Sequence, residues 1–172
     1  SAASDVYKRQ DKMCPYVYEN AWSPHLASRV EGNPVDLSVV REGFLKVSEK
    51  YDFITMEGSG GILCPLCFDE RRIQLEDVIR EFKLSSILVA DAGLGTINSV
   101  VLTAEYMKAH SLPLKGIIFN HYHPGNIMED DNIFMCEHMT GLPVLAKVQD
   151  NATELETDAD VLSALYDEVK IK

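Results

Sequence analysis

Four short runs in this chain are apolar almost throughout, without alternation, and each stops at a polar residue. They are Phe53-Ile54-Thr55-Met56, Ser86-Ile87-Leu88-Val89-Ala90, Gly116-Ile117-Ile118-Phe119 and Pro143-Val144-Leu145-Ala146. A strand with one solvated face alternates polar and apolar residues, so an unbroken apolar run predicts a strand buried on both faces of a sheet. Between and before the runs the period changes to that of a helix. Leu37, Val40, Phe44, Val47 and Tyr51 recur at steps of three and four, as do Leu75, Val78, Ile79 and Phe82, each set forming one apolar stripe. Ser23-Pro24 predicts a helix start, with Ser as cap and Pro at the first position, running to about Gly32. Asp36 is placed to cap the next helix. Further helices are predicted over 74–83, 96–110, 130–139 and 158–169. Strands alternating with helices imply an α/β fold of parallel βαβ units with right-handed crossovers. In such sheets ligands bind at the carboxyl ends of the strands. Glu57, Gly58 to Gly61, Asp91 to Gly95 and Asn120 occupy those ends.

Charge narrows the function. Sixteen Lys and Arg stand against 27 Asp and Glu, a net charge of -11, which argues against a general nucleic-acid binder. It does not argue against a nucleotide, which backbone N–H groups and a metal ion can hold. No apolar run approaches the ~20 residues of a membrane span, and Ser1 to Gln10 are polar without a secretory apolar region. A cytoplasmic protein is expected. Ser1 to Asp11 show no helical or strand period. Residues 1–12 are therefore read as a non-native or disordered start (a cloning or assembly scar, or a frayed end), and 13–172 as one domain. Cys64-Pro65-Leu66-Cys67 is a C-x-x-C, but no second pair follows at zinc-site spacing. Two small side chains in a loop are the plain reading; a redox pair would need a depressed thiol pKa.

The strand ends carry the chemistry. Glu57 follows an apolar run and precedes Gly58-Ser59-Gly60-Gly61. A carboxylate there suits a hard cation such as Mg²⁺, and glycines let backbone N–H groups approach anionic oxygens. The alternative is a glycine turn with a solvated Glu. Gly93-Leu94-Gly95-Thr96-Ile97-Asn98 joins a strand to a helix start, where free N–H groups favour an anion. The alternative is a tight turn with Thr96 as N-cap. No Lys-Ser or Lys-Thr follows these glycines, so the turn is not a P-loop. The Asn120 amide offers one donor and one acceptor to a base edge. His121 and His123 flank Tyr122, a surface pair or, less simply, metal ligands. No Gly-x-Ser-x-Gly elbow is present: Ser59 has the wrong frame.

Taken together, Ser23-Pro24-His25 with Glu31-Gly32, Tyr51-Asp52 leading to Glu57-Gly58-Ser59-Gly60-Gly61-Ile62-Leu63, Ile87-Leu88-Val89 with Leu94-Gly95-Thr96-Ile97-Asn98 and Leu102-Thr103-Ala104-Glu105, and Gly116-Ile117-Ile118-Phe119-Asn120 resemble dethiobiotin synthetase. The order and spacing agree over about residues 16–151. The resemblance implies a P-loop NTPase-like, Rossmann-like three-layer fold with a mainly parallel sheet, incomplete at its N-terminus. It implies an ATP- and Mg²⁺-dependent ligase that carboxylates 7,8-diaminononanoate with CO2, phosphorylates the carbamate with ATP, and closes the ureido ring of dethiobiotin in the biotin pathway. Positioning and charge neutralisation dominate such chemistry.

Carried onto this sequence, the resemblance makes Glu57 the Mg²⁺ ligand and lays Glu57, Gly58, Ser59 and Gly60 along the nucleotide phosphates. Asn120 and His121 become the adenine contact. Gln149, Asp150 and Asn151 fall where the family closes over the adenine side, without its Pro-x-Leu-like pattern. Leu94, Gly95, Thr96, Ile97 and Asn98 become the helix start that receives the substrate carboxylate from a neighbouring subunit, which implies a homodimer. The family's P-loop with Lys and Thr, its catalytic Lys, its substrate-binding Ser and its Mg²⁺-binding Asp have no counterpart before Tyr16. No catalytic residue is therefore assigned, and residues 1–172 alone are expected to be inactive. Two alternatives stay open: a sibling ATPase of the cobyric-acid-synthase or partition type, and a non-catalytic binding domain without a P-loop.

Overall fold

A computed structural model describes residues 13–168. The chain divides into two compact units, one ending at Phe82 and the other running from Lys83.

In the first unit, helix α1 spans Pro24–Val30, with Ser23 at the N-cap and the proline in the first turn. Gly32 follows at φ +68°, the left-handed conformation that lets the chain leave a helix. Helix α2 spans Leu37–Ser48, and the Asp36 carboxylate accepts the Ser38 N–H at 2.8 Å. Strand β1, Pro65–Cys67, pairs antiparallel with β2, Ile73–Gln74. Helix α3 follows at Leu75–Phe82. Val35, Cys67 and Ile73 form the buried cluster here, with Tyr16, Leu37, Val40 and Leu66 against it. Phe44 of α2 stacks on Phe82 of α3 with centroids 4.9 Å apart. The two helical stripes of this unit thus lie on α2 and α3, except for Tyr51, which falls beyond α2 and is exposed.

The first expected strand does not form. Residues 53–56 take no strand conformation, and the Phe53 side chain is 62% exposed. A four-residue run is held as a strand by its neighbours in a ladder, not by its own composition. The ladder described in this unit is the β1–β2 pairing, which does not include it.

The second unit is built on three parallel strands in the order β3-β4-β5, at Ser86–Asp91, Leu114–Asn120 and Val144–Lys147. Helix α4, Thr96–Ala109, links β3 to β4, and helix α5, Ile127–Thr140, links β4 to β5. Leu88 and Ala90 of β3, Ile117 and Phe119 of β4, and Val144 of β5 pack with Val100 of α4 and Ile133 and Cys136 of α5. Gly116 is required by the β4–β5 approach: a Cβ there would lie 2.7 Å from the Leu145 Cγ. The register pairs Asp91 with Asn120. The carboxyl ends of β3 and β4 therefore reach the same level, where sheets of this kind bind ligands.

Three expectations need correction in this unit. Strand β3 is not covered on both faces: its burial alternates, and Val89 is 60% exposed. Only the central strand β4 is buried along most of its length. Helix α5 starts three residues before the expected Asp130, because the Asn126 side chain accepts the N–H groups of Met128 and Glu129 and fixes the start earlier. The last helix, α6, covers only Ala159–Ser163, with Asp158 as its cap. Lys115 Nζ donates to the Leu165 carbonyl at 2.7 Å and to the Asp167 carboxylate at 2.6 Å, drawing the chain out of helical geometry. Val169, the expected end, lies outside the described residues.

Candidate functional site at the strand ends

Asp91 closes β3 and organises the turn after it. Its Oδ1 accepts the Gly93 N–H at 2.7 Å, and its Oδ2 lies 2.8 Å from His121 Nδ1. These two contacts hold its carboxyl below the usual carboxylate range. The turn is fixed from the other side by Asn132 of α5, a buried residue whose Nδ2 donates to the carbonyls of Ala92 and Gly93, each at 3.0 Å. Ala92 N–H donates to the Asn120 carbonyl at 2.9 Å. The glycine turn and the Asn120–His121 pair are thus one hydrogen-bonded assembly.

The start of α4 differs from the expected turn in one respect. Gly95, not Thr96, takes the cap position, at φ +94°. Thr96 is the first helical residue; it is 4% exposed, and its Oγ1 meets no hydrogen-bond partner among the described residues. A buried hydroxyl without a partner costs free energy. Leu94 is 91% exposed, and Asn98 is exposed one turn in.

His121 sits at φ +53°, directly after β4. Two residues on, His123 Nδ1 lies 3.0 Å from Glu129 Oε1, and His123 Nε2 lies 3.3 Å from Asp150 Oδ2. The loop of Gln149, Asp150 and Asn151 is thereby tied to the loop after β4. Tyr122 N–H donates to the Val148 carbonyl at 2.9 Å beside it. The two histidines face separate carboxylates. Among the described residues no group of three His, Cys, Asp or Glu is placed to hold a metal ion.

Glu57 and its glycines belong to the first unit. Glu57 is exposed and follows irregular backbone rather than a strand. Gly58 is closely packed, and Gly60 takes a backbone conformation that favours glycine. A Cβ on Gly58 would lie 2.5 Å from Leu75 Cδ2, and Gly60 has φ +86° with Cys64 Sγ 2.9 Å from its Cβ position. Gly61 faces open space. A lone exposed carboxylate fits Mg²⁺, which completes its shell with water and phosphate oxygens rather than a protein cage. Cys67 is buried, and burial pushes its thiol up. That is the reverse of what a redox pair needs.

A model of the AAA domain family matches residues 2–156. The ATP-dependent dethiobiotin synthetase BioD of Brachyspira hyodysenteriae is 44% identical over 154 residues, covering 89% of this chain and 70% of the relative. The proteins of the same name from Clostridium kluyveri and Clostridium novyi are 46% and 44% identical, covering 89% and 91% of this chain. The chain belongs to the dethiobiotin synthetase family. It spans 66% to 70% of the length of these three synthetases. The family places it among P-loop NTPase-like α/β proteins and ATP-dependent ligases.

Of the residues that the resemblance assigns to a site, Leu94 to Asn98, Asn120, His121 and Gln149 to Asn151 all lie in the second unit, and Glu57 to Gly60 in the first. Sequence reasoning missed Asn132 and Glu129. Asn132 gives no local signal, because its partners are 39 and 40 residues away. Glu129 does: Asn126-x-x-Glu129 has capping-box spacing.

Proposed function

We propose that this chain is part of an ATP-dependent dethiobiotin synthetase that closes the ureido ring of 7,8-diaminononanoate with CO2. The observation that carries this reading is the assembly joined by Asp91. It sets the α4 start, with its unpartnered Thr96 hydroxyl, beside the Asn120–His121 pair at the end of the sheet. The N-terminus of a helix of 14 residues favours a carboxylate. The Asn120 amide can pair with a base edge.

In this reading Leu94, Gly95, Thr96, Ile97 and Asn98 receive the diamine's carboxylate. Asn120 and His121 contact adenine, with Gln149, Asp150 and Asn151 closing over it. Gly58, Ser59 and Gly60 run along the phosphates, and Glu57 is a Mg²⁺ ligand. Bound Mg²⁺ supplies charge neutralisation on the phosphate oxygens. The residues named here bind and orient. They supply no nucleophile. The protein works in the cytoplasm as a homodimer, each α4 start serving the partner's diamine.

The test is phosphate release from ATP with Mg²⁺, CO2 and diaminononanoate, in a protein that carries the family's P-loop segment. Diamine-dependent release, abolished in Glu57→Gln, is expected. Folded protein that binds ATP without diamine-dependent turnover would point to a sibling ATPase instead. Sedimentation of the same preparation checks the dimer.

A further inference from the structure

We infer that His123 is a positioning residue: by bridging Glu129 and Asp150 it holds the 149–151 loop in place, and it does so only as the imidazolium. The inference rests on the reading of that loop as the adenine-side wall.

Both ring nitrogens of His123 face carboxylates, Glu129 at 3.0 Å and Asp150 at 3.3 Å. A neutral imidazole has one N–H and one lone pair. It can satisfy one of these carboxylates and must turn a lone pair toward the other. The imidazolium donates to both. The two ends of the bridge differ in strength. Glu129 is buried and also accepts the His123 backbone N–H at 2.6 Å and the Asn126 Nδ2 at 2.8 Å. It stays fixed whatever the state of the ring. The Asp150 side chain is half exposed, and no other bond to it is seen among the described residues. Loss of the proton therefore releases Asp150 and with it the turn that Ala152 N–H closes on the Gln149 carbonyl.

The charged groups around the ring all fit this polarity or are spent elsewhere. On α5 stand Glu129 and Asp130, the latter accepting the Tyr122 hydroxyl at 2.7 Å. After β5 stands Asp150. At the end of β3, Asp91 is engaged by His121. On β5, the Lys147 ammonium lies 4.9 Å from the Tyr122 ring centroid. The carboxylates raise the His123 pKa above its ordinary 6.5, Glu129 first and Asp150 second. A raised value means the bridge is complete below pH 6.5 and is lost as pH rises through the folded value.

The experiment is ADP binding by calorimetry at pH 6, 7, 8 and 9, on the full-length protein and on His123→Gln. Comparing the two at each pH cancels the titration of ADP itself. The unaltered protein is expected to bind about two- to five-fold tighter than the variant at pH 6, the range of an exposed ion pair, with the advantage gone at pH 9. Asp150→Asn, which leaves Glu129 and the α5 cap intact, should show the same pattern if His123→Gln fails to fold. An affinity ratio that is constant with pH would overturn the inference, because a merely structural His123 acts equally at every pH. No ADP binding by the unaltered protein at any pH would overturn the nucleotide reading itself. The bridge is then read alone by NMR titration of the His123 ring: a lower pKa in Asp150→Asn supports it, an unchanged one refutes it.

Discussion

Asn132→Asp is the sharpest probe of the strand-end assembly, because it changes chemistry without changing shape. The Asn132 Nδ2 donates to two backbone carbonyls, of Ala92 and Gly93, both at 3.0 Å, from a site that is 7% exposed. In the variant an oxygen takes that place. At neutral pH an ionised carboxylate would face two carbonyl oxygens in a buried setting. It avoids this by binding a proton, which then serves one carbonyl and leaves the other bare. One lost hydrogen bond at about 1 kcal/mol and a buried carbonyl left unsatisfied at about 1 to 3 kcal/mol give about 2 to 4 kcal/mol even with the proton bound. The loss must depend on pH. The folded-state pKa of the introduced carboxyl would lie above the unfolded ~3.9, so the variant is least damaged below pH 4 and loses about 1.4 kcal/mol per unit as pH rises toward the folded value. Urea unfolding at pH 4.5 and pH 7.5, for both proteins, measures this. Asn132→Ala is the companion, with a cavity in place of the repulsion and little pH dependence. A loss below about 1 kcal/mol at pH 7.5, or an equal loss at both pH values, would refute the reasoning that Asn132 pins the turn.

Other outcomes rest on single positions. Gly95→Ala meets no atom within 4 Å but must adopt φ +94°; it should cost about 1 to 2 kcal/mol from backbone strain alone, read by thermal unfolding. Ile117→Ala, at a fully buried position of β4, should cost about 2 to 5 kcal/mol through the cavity it leaves, read the same way. A thiol reagent at pH 8 should modify the exposed Cys14 and the half-buried Cys64 first, with the buried Cys67 and Cys136 reacting only on unfolding; mass spectrometry of partially labelled protein decides. The Asp91 carboxyl, held low by Gly93 and His121, contributes stability that is present above the ordinary carboxylate pKa and lost as pH falls through its lowered value. Asp91→Asn should accordingly flatten the acid limb of the stability profile.

The sequence by itself determined where most helices fall and the parallel βαβ order of the second unit, but not the start of α5 or the extent of α6. Periods of three and four are local, and the stripes on α2 and α3 formed where they fell. It also determined which residues end the strands, because Asp91 and Asn120 are the first polar groups after apolar runs. The family, too, was legible, since its motifs lie in contiguous stretches. Tertiary structure decided the rest. Whether an apolar run becomes a strand depends on a neighbouring edge, which 53–56 lacks in the β1–β2 ladder while 86–91 finds one in β4. Whether a strand is covered on both faces depends on what packs there, and Val89 shows that apolar composition alone does not settle it. The groups that join the strand-end loops, Asn132 on the turn and His123 between Glu129 and Asp150, are polar residues whose partners stand up to 40 residues away. Side-chain hydrogen bonds of that kind have no period. They exist only once the chain has brought the two ends to one place.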